Sequence, residues 1–358
     1  MALRGFFLSF KRLLKGCFWR GSQEPIQMPL FCPSEGRKRL ICFRKKSLRK
    51  PWILEFLWRD ICDTKVVSRA EDVEFLFADE VGALRNLLDG ANAYVLVFDS
   101  QLSFLHRQGI PLDRMILYFP HVRAGLLLPG LRDLHAILCL NSFEKALCLH
   151  EGVAAERLHI FPAGYSSALF SSSSPKPLVR RRRDVLFVGK YVTADWKGAY
   201  PTRKRFSLVC ELANALADIG LNVGILGSSW DLCEYELDPR IEVSSAEHFD
   251  YPGFYQDAKI VCCVSGQEGG PVSFLEGLSS GCLMVSTPSG FASEFQSGCS
   301  GVWMLPLSAG VGQWVCQIES CLELVRHGHE FTFDGRRDLL ERSEFEVLAQ
   351  QLLNICFL

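Results

Sequence analysis

No apolar run in the 358 residues approaches the roughly 20 with which a helix crosses a bilayer, so the sequence contains no such span. Net charge is as scarce. With 39 Lys and Arg against 40 Asp and Glu, the chain carries no global field that would draw it to nucleic acid. The 15 cysteines include no C-x-x-C pair. Many, such as Cys139, Cys262 and Cys263, sit inside apolar runs, which argues against a disulfide framework or a zinc site and for small core residues in a reducing, cytoplasmic compartment. What remains is ordinary globular composition, 48% hydrophobic and 22% charged, in a chain long enough for two domains.

The most informative stretch runs from Lys259 to Gly290. An apolar strand, Ile260 to Val264, breaks at Ser265-Gly266 and is followed by Glu268-Gly269-Gly270-Pro271. Pro271 suits the first position of a helix, because its fixed φ fits there and its missing N–H has no helical partner to lose. The helix continues through Val272, Phe274, Leu275 and Leu278, stops at Ser279-Ser280-Gly281, and gives way to the strand Leu283-Met284-Val285. A strand, glycine loop, helix and strand in this order form the repeating unit of a parallel α/β sheet. Glycines before a helix N-terminus let backbone N–H groups reach an anion, and the helix dipole adds positive charge. Glu268 precedes the helix and Glu276 lies about one and a half turns into it. An anion site with two carboxylates suits a ligand that carries both phosphate and hydroxyl groups, as a sugar nucleotide does.

Glu268-Gly269-Gly270-Pro271, Glu276-Gly277, Gly281 and the strand Leu283 to Ser286 resemble the E-x7-E signature of retaining family 4 (group 1) glycosyltransferases of the GT-B fold. The resemblance implies two Rossmann-like domains with mostly parallel sheets facing a central cleft. It implies that Glu268 contacts the donor sugar, that Glu276 holds the ribose hydroxyls, and that the loop Gly269-Gly270-Pro271-Val272 meets the diphosphate. His121, just after the strand Met115 to Phe119, resembles the histidine that the family places against the donor sugar from the N-terminal domain. Gly189-Lys190 follows the first strand of the second domain, where the family supplies an Arg to the diphosphate; Lys190 departs from that pattern. The second cation is Lys197, Lys204 or Arg205, and the sequence does not choose among them. No D-x-D pair occurs, and the family needs no metal or other cofactor.

The rest of the chain alternates strands and helices. In the first half we expect strands at Leu40 to Phe43, Lys65 to Ser68, Tyr94 to Phe98, Met115 to Phe119, Ala136 to Leu140 and His159 to Phe161, separated by helical stretches. Ser171 to Pro177 and the arginines Arg180 to Arg183 mark a hinge. The second half resumes at Asp184 to Val188, and closing helices are expected over Val311 to Arg326 and Leu340 to Leu353. The resulting division is 1–36 (basic segment and linker), 37–170 (acceptor domain), 171–183 (linker), 184–340 (nucleotide-sugar domain) and 341–358, a helix crossing back to the first domain. Residues 1–20 set large aromatics beside Arg4, Lys11, Arg12, Lys15 and Arg20, a pattern suited to peripheral contact with an anionic membrane at its inner face. The cationic loop Arg44 to Lys50 stands where the family often has a glycine-rich loop. The expected partners are thus a nucleotide-sugar donor and a glycan or lipid-linked acceptor, with no nucleic acid. A sugar-nucleotide epimerase of the same fold and a non-catalytic binding or scaffold protein are the rival readings.

Overall fold

The computed structural model describes residues 38–43, 53–89, 92–119, 130–171, 175–192, 203–295, 301–331 and 334–357. The basic segment 1–20, the loop 44–50, His121 and Lys197 lie outside the described residues.

The first half forms β1 (Lys38–Phe43), α1 (Ile53–Cys62), α2 (Lys65–Arg69), β2 (Val73–Ala78), α3 (Val81–Leu88), β3 (Ala93–Phe98), α4 (Asp99–Arg107), β4 (Met115–Phe119), β5 (Ala136–Cys139), α5 (Ser142–His150) and β6 (Leu158–Ile160). The short α6 (Ser167–Phe170) leads into β7 (Arg183–Val188), α7 (Phe206–Asp218), β8 (Val223–Leu226), β9 (Glu242–Ser244), α8 (Tyr251–Gln256), β10 (Ala258–Cys263), α9 (Val272–Ser279), β11 (Leu283–Ser286) and β12 (Val302–Met304). Three helices close the chain: α10 (Val311–Arg326), α11 (Asp334–Ser343) and α12 (Phe345–Phe357).

Two six-stranded sheets result, ordered β2-β1-β3-β4-β5-β6 and β12-β11-β10-β7-β8-β9, and the strand pairs in both run parallel. Central strands of such sheets are covered on both faces, which is why β3 and β10 read as near-continuous apolar runs instead of alternating. The central unit pairs Ile260 with Leu283 on one side and with Val185 on the other. Its helix ends at Gly281, whose φ of +70° is the left-handed conformation that glycine adopts at little cost. In each sheet the strand order reverses once, between β1 and β3 and between β10 and β7. A crevice outside the carboxyl ends of the strands opens at such a point.

Residues 36–358 form one compact unit. One cluster of buried residues covers the outer face of each sheet, and a third runs without a break from Leu40, Trp58 and Leu138 of the first sheet's layers to Tyr255, Phe274 and Met284 of the second. α12 contributes Leu348 and Leu352 to this middle core and packs on α1 and α2.

Three local expectations are corrected. Lys65 to Ser68 is helical, not a strand: Thr64 caps it by accepting from Val67 N at 3.3 Å, and the carboxylate of Glu346, far along the chain, accepts from Lys65 N and Val66 N at 3.0 and 3.2 Å. The strand of that region is β2. The helix expected over Leu340 to Leu353 is two helices. They part at Glu344, where Tyr165 N donates to Ser343 O and Phe345 N donates back to Tyr165 O. Pro271 is the N-cap of α9 and not its first helical residue, with an extended ψ of 115°.

Candidate active site

The carboxyl ends of β7 and β10, at the reversal of the second sheet, frame a cavity of about 50 Å³. Gly189, Lys190, Lys204, Ser265, Pro271 and Ser273 line it, over a floor that includes Phe206 and Trp230. It is several times smaller than the roughly 300–1,000 Å³ of a small-molecule cleft. The wall after β7 is tightly built: Trp230 Nε1 donates to Gly189 O at 2.7 Å, and a Cβ on Gly227 would lie 2.1 Å from that same oxygen.

The glycine loop forms the opposite wall. Gly266 N donates to Arg203 O at 2.7 Å, tying the loop to the turn before α7. Gly270 is seated so closely that an added Cβ would meet the ring of Phe291 at 1.9 Å. Glu268 is buried here, its carboxylate paired with Lys204 and 4.0 Å from Arg203 Nη1. Burial alone would raise its pKa, but Lys204, Arg203 and Ser265 together outweigh burial and hold it below the usual carboxylate value. A buried carboxylate kept ionised beside two cations and a helix N-terminus is a charged cluster suited to a polar, anionic ligand.

Glu276, on α9, is also buried. Its Oε2 accepts from the Tyr255 hydroxyl at 2.6 Å, and its Oε1 lies 2.5 Å from His248 Nε2. Burial, followed by the charge of Glu276, drives the Tyr255 pKa far above 10, so this phenol remains a donor.

The first sheet reaches the loop through the N-terminus of α5. Asn141 Nδ2 donates to Gly269 O at 2.8 Å, while its Oδ1 caps α5 by accepting from Glu144 N at 2.9 Å. Ser142 donates to Glu294 from both N and Oγ, at 3.1 and 2.9 Å, and Glu294 also pairs with Arg342 of α11. Glu144 accepts from Leu140 N at 2.7 Å. Burial pushes its pKa up to about 8, against the lowering effect of that bond.

Of the residues singled out from sequence, Gly189, Lys190, Lys204 and Pro271 line the cavity, Glu268 joins them through its pair with Lys204, Gly269 and Gly270 follow Glu268 on the loop, and Val272 opens α9. Arg205 turns its guanidinium to Val264 O at 3.3 Å and has a left-handed backbone, φ 55°. Glu276 lies deeper on α9, in its own polar nook. Sequence reasoning missed Arg203 as a partner of Glu268, and it missed His248, Tyr255 and Glu144. Arg203 carried a local signal, in the run Arg203-Lys204-Arg205, and Glu144 bonds to Leu140 N only four residues away; His248 and Tyr255 meet Glu276 through contacts distant in sequence.

No protein-family model matches the chain, and no curated protein does. Solved structures match its fold. Sucrose-phosphate synthase from Thermosynechococcus elongatus is 12% identical with a TM-score of 0.67, over 89% of this chain and 98% of that one. Anabaena Alr3699/HepE, in complex with UDP and glucose, is 13% identical with a TM-score of 0.58, over 89% of this chain and 99% of its own. TarM is 13% identical with a TM-score of 0.59, over 78% of this chain, which spans only 57% of TarM's length. These neighbours are GT-B glycosyltransferases. At such identities the likeness is one of fold, and it agrees with the two parallel-sheet, Rossmann-like domains expected from the sequence.

Proposed function

We propose that the chain is a glycosyltransferase that moves a sugar from a nucleotide-sugar donor to a glycan or lipid-linked acceptor with retention and without a metal. The observation that carries this reading is the ionised, buried Glu268 on the glycine loop, flanked by Lys204, Arg203 and the N-terminus of α9, in a fold whose solved neighbours include one with UDP and glucose bound.

In the reaction, the bond from the anomeric carbon to the diphosphate oxygen breaks. A bond to the acceptor hydroxyl forms on the same face, and the hydroxyl proton passes to the departing diphosphate. Lys204, Arg203 and Lys190 offset the charge that develops on the leaving group, together with the first amides of α9. Donor phosphate draws the two cations of the Glu268 pair toward itself, which frees the carboxylate to accept from sugar hydroxyls. The basic, aromatic segment 1–20 supports an acceptor presented at an anionic membrane surface.

The test is turnover of a donor panel (UDP-, ADP- and GDP-sugars) by the wild type and Glu268→Gln, with the anomeric configuration of the product read by NMR. The variant should lose about 100-fold or more in kcat, as when one preorganised transition-state contact is removed, and should bind the free nucleoside diphosphate at least as well, because Lys204 is released. Full kcat in Glu268→Gln, or inversion of the sugar without transfer, refutes the reading.

A further inference from the structure

Both oxygens of Glu276 are occupied, by partners held in very different ways. Tyr255 lies in the core with no exposed surface, its ring 5.7 Å from Phe170 in an edge-on contact. His248 belongs to a single turn, His248–Asp250, between β9 and α8. Its side chain is 62% exposed, against 4% for Glu276, and it rests against Phe170 at 5.4 Å and Tyr251 at 5.2 Å. A hydroxyl arriving from solvent therefore meets Glu276 on the His248 side, because the other side is closed by the Tyr255 ring.

We propose that His248 is the resident occupant of the subsite where Glu276 receives the ribose hydroxyls of the donor, so that nucleotide binding competes with the His248–Glu276 pair and His248 sets its strength and pH dependence. This rests on the reading of Glu276 as the ribose acceptor. Tyr255 fixes the carboxylate's orientation throughout, and His248 moves aside.

The charges around His248 give the sign. Glu276 faces it from α9, Asp60 interacts with it from α1 of the first sheet's layer, and Tyr251 faces it from α8, where Tyr255 bonds the other oxygen of Glu276; Phe170 of α6 brings no charge, and Glu247 and Asp250 are its neighbours in sequence. Burial opposes protonation of His248, but the hydrogen bond and charge of Glu276, with Asp60, outweigh it and raise the pKa above 6.5. On the acid side the pair is an ion pair that the ligand must break. As pH rises the imidazole loses its proton, the pair loses its charge, and nucleotide binding tightens. Asp60, pushed up to about 6, is largely ionised above pH 6.5 and does not reverse this trend.

Calorimetry of intact UDP-, ADP- and GDP-glucose at pH 6.5 to 8.5 tests the proposal, using whichever binds. Intact donors are preferred to free diphosphates because their phosphates do not titrate in this window. Wild-type affinity should rise about fivefold across it, the size of one partly exposed ion pair. His248→Ala and His248→Phe, the second of which keeps the ring packing, should bind about fivefold tighter than wild type at pH 6.5 with a flat profile. Glu276→Gln should bind more weakly in either background. If Glu276→Gln weakens binding but both His248 variants retain the wild-type affinity and profile, or bind more weakly at every pH, the inference falls and the reading of Glu276 stands. If no donor binds, or Glu276→Gln binds like wild type, that reading itself fails and the inference with it.

Discussion

Glu268 and Glu144 are both buried carboxylates, and opposite surroundings drive them in opposite directions. The desolvation of Glu268 is overcome by Lys204, Arg203 and Ser265, so its pKa falls. Its ion pair therefore contributes stability that is present above about pH 4.5 and is lost as the pH falls through its lowered folded value. Among the described residues no cation pairs with Glu144, and burial, only partly offset by the bond from Leu140 N, carries its pKa to about 8. Its proton is retained in the folded chain, so the stabilising contribution is complete below about pH 4.5 and is lost as pH rises through about 8. Glu144→Gln keeps an acceptor for Leu140 N and removes the titration. Between pH 5 and 9 the wild type should lose roughly 2–4 kcal/mol that the variant retains, as urea unfolding at a series of pH values will show. Parallel profiles for the two proteins would mean that Glu144 is ionised in the folded chain.

At the scale of elements, the glycine loop owes its shape to what packs beneath it. Phe291 is buried, sits 6.2 Å from Phe274 between ring centroids, and fills the space that a side chain at Gly270 would need. Gly270→Ala should cost about 1–3 kcal/mol by overpacking. Phe291→Leu should absorb part of that cost, so the double variant should be less destabilised than the sum of the singles. Additive losses in a denaturation cycle would remove Phe291 as the constraint. This unit was legible in sequence because each signal in it is local: an apolar run, a glycine pair, a proline at the helix start and a glycine at its end. Lys65-Val66-Val67-Ser68 was misread for the complementary reason. Its β-branched pair favours a strand, and the carboxylate that ties down its first amides belongs to Glu346 at the other end of the chain. The break at Glu344 was invisible likewise, since it is made by hydrogen bonds to Tyr165. Within the site, the Glu268 loop could be found from spacing, whereas the pairing of Glu276 with His248 and Tyr255 required the fold.

At the scale of the whole molecule, the two sheets share a core and meet again at the crevice. Asn141, at the N-terminus of α5, serves both: its oxygen caps that helix, and its amide nitrogen holds the carbonyl of Gly269 in the loop assigned to the donor. Asn141→Asp separates the two roles, because aspartate caps a helix as well as asparagine does but cannot donate. It would instead set a buried carboxylate against a carbonyl oxygen, and opening the crevice to water relieves that conflict more cheaply than unfolding α5. The expected outcome is a fall in kcat/KM for the donor on the order of tenfold or more, the worth of a lost hydrogen bond that leaves a buried group unpaired. The radius of gyration in solution scattering should increase, with little change in helix content by circular dichroism. Asn141→Ala, which loses both roles, should add about 1 kcal/mol of lost helix capping to the same kinetic defect. If Asn141→Asp turns over donor at the wild-type rate with an unchanged radius of gyration, the contact between α5 and the glycine loop has no part in holding the two sheets together over the site.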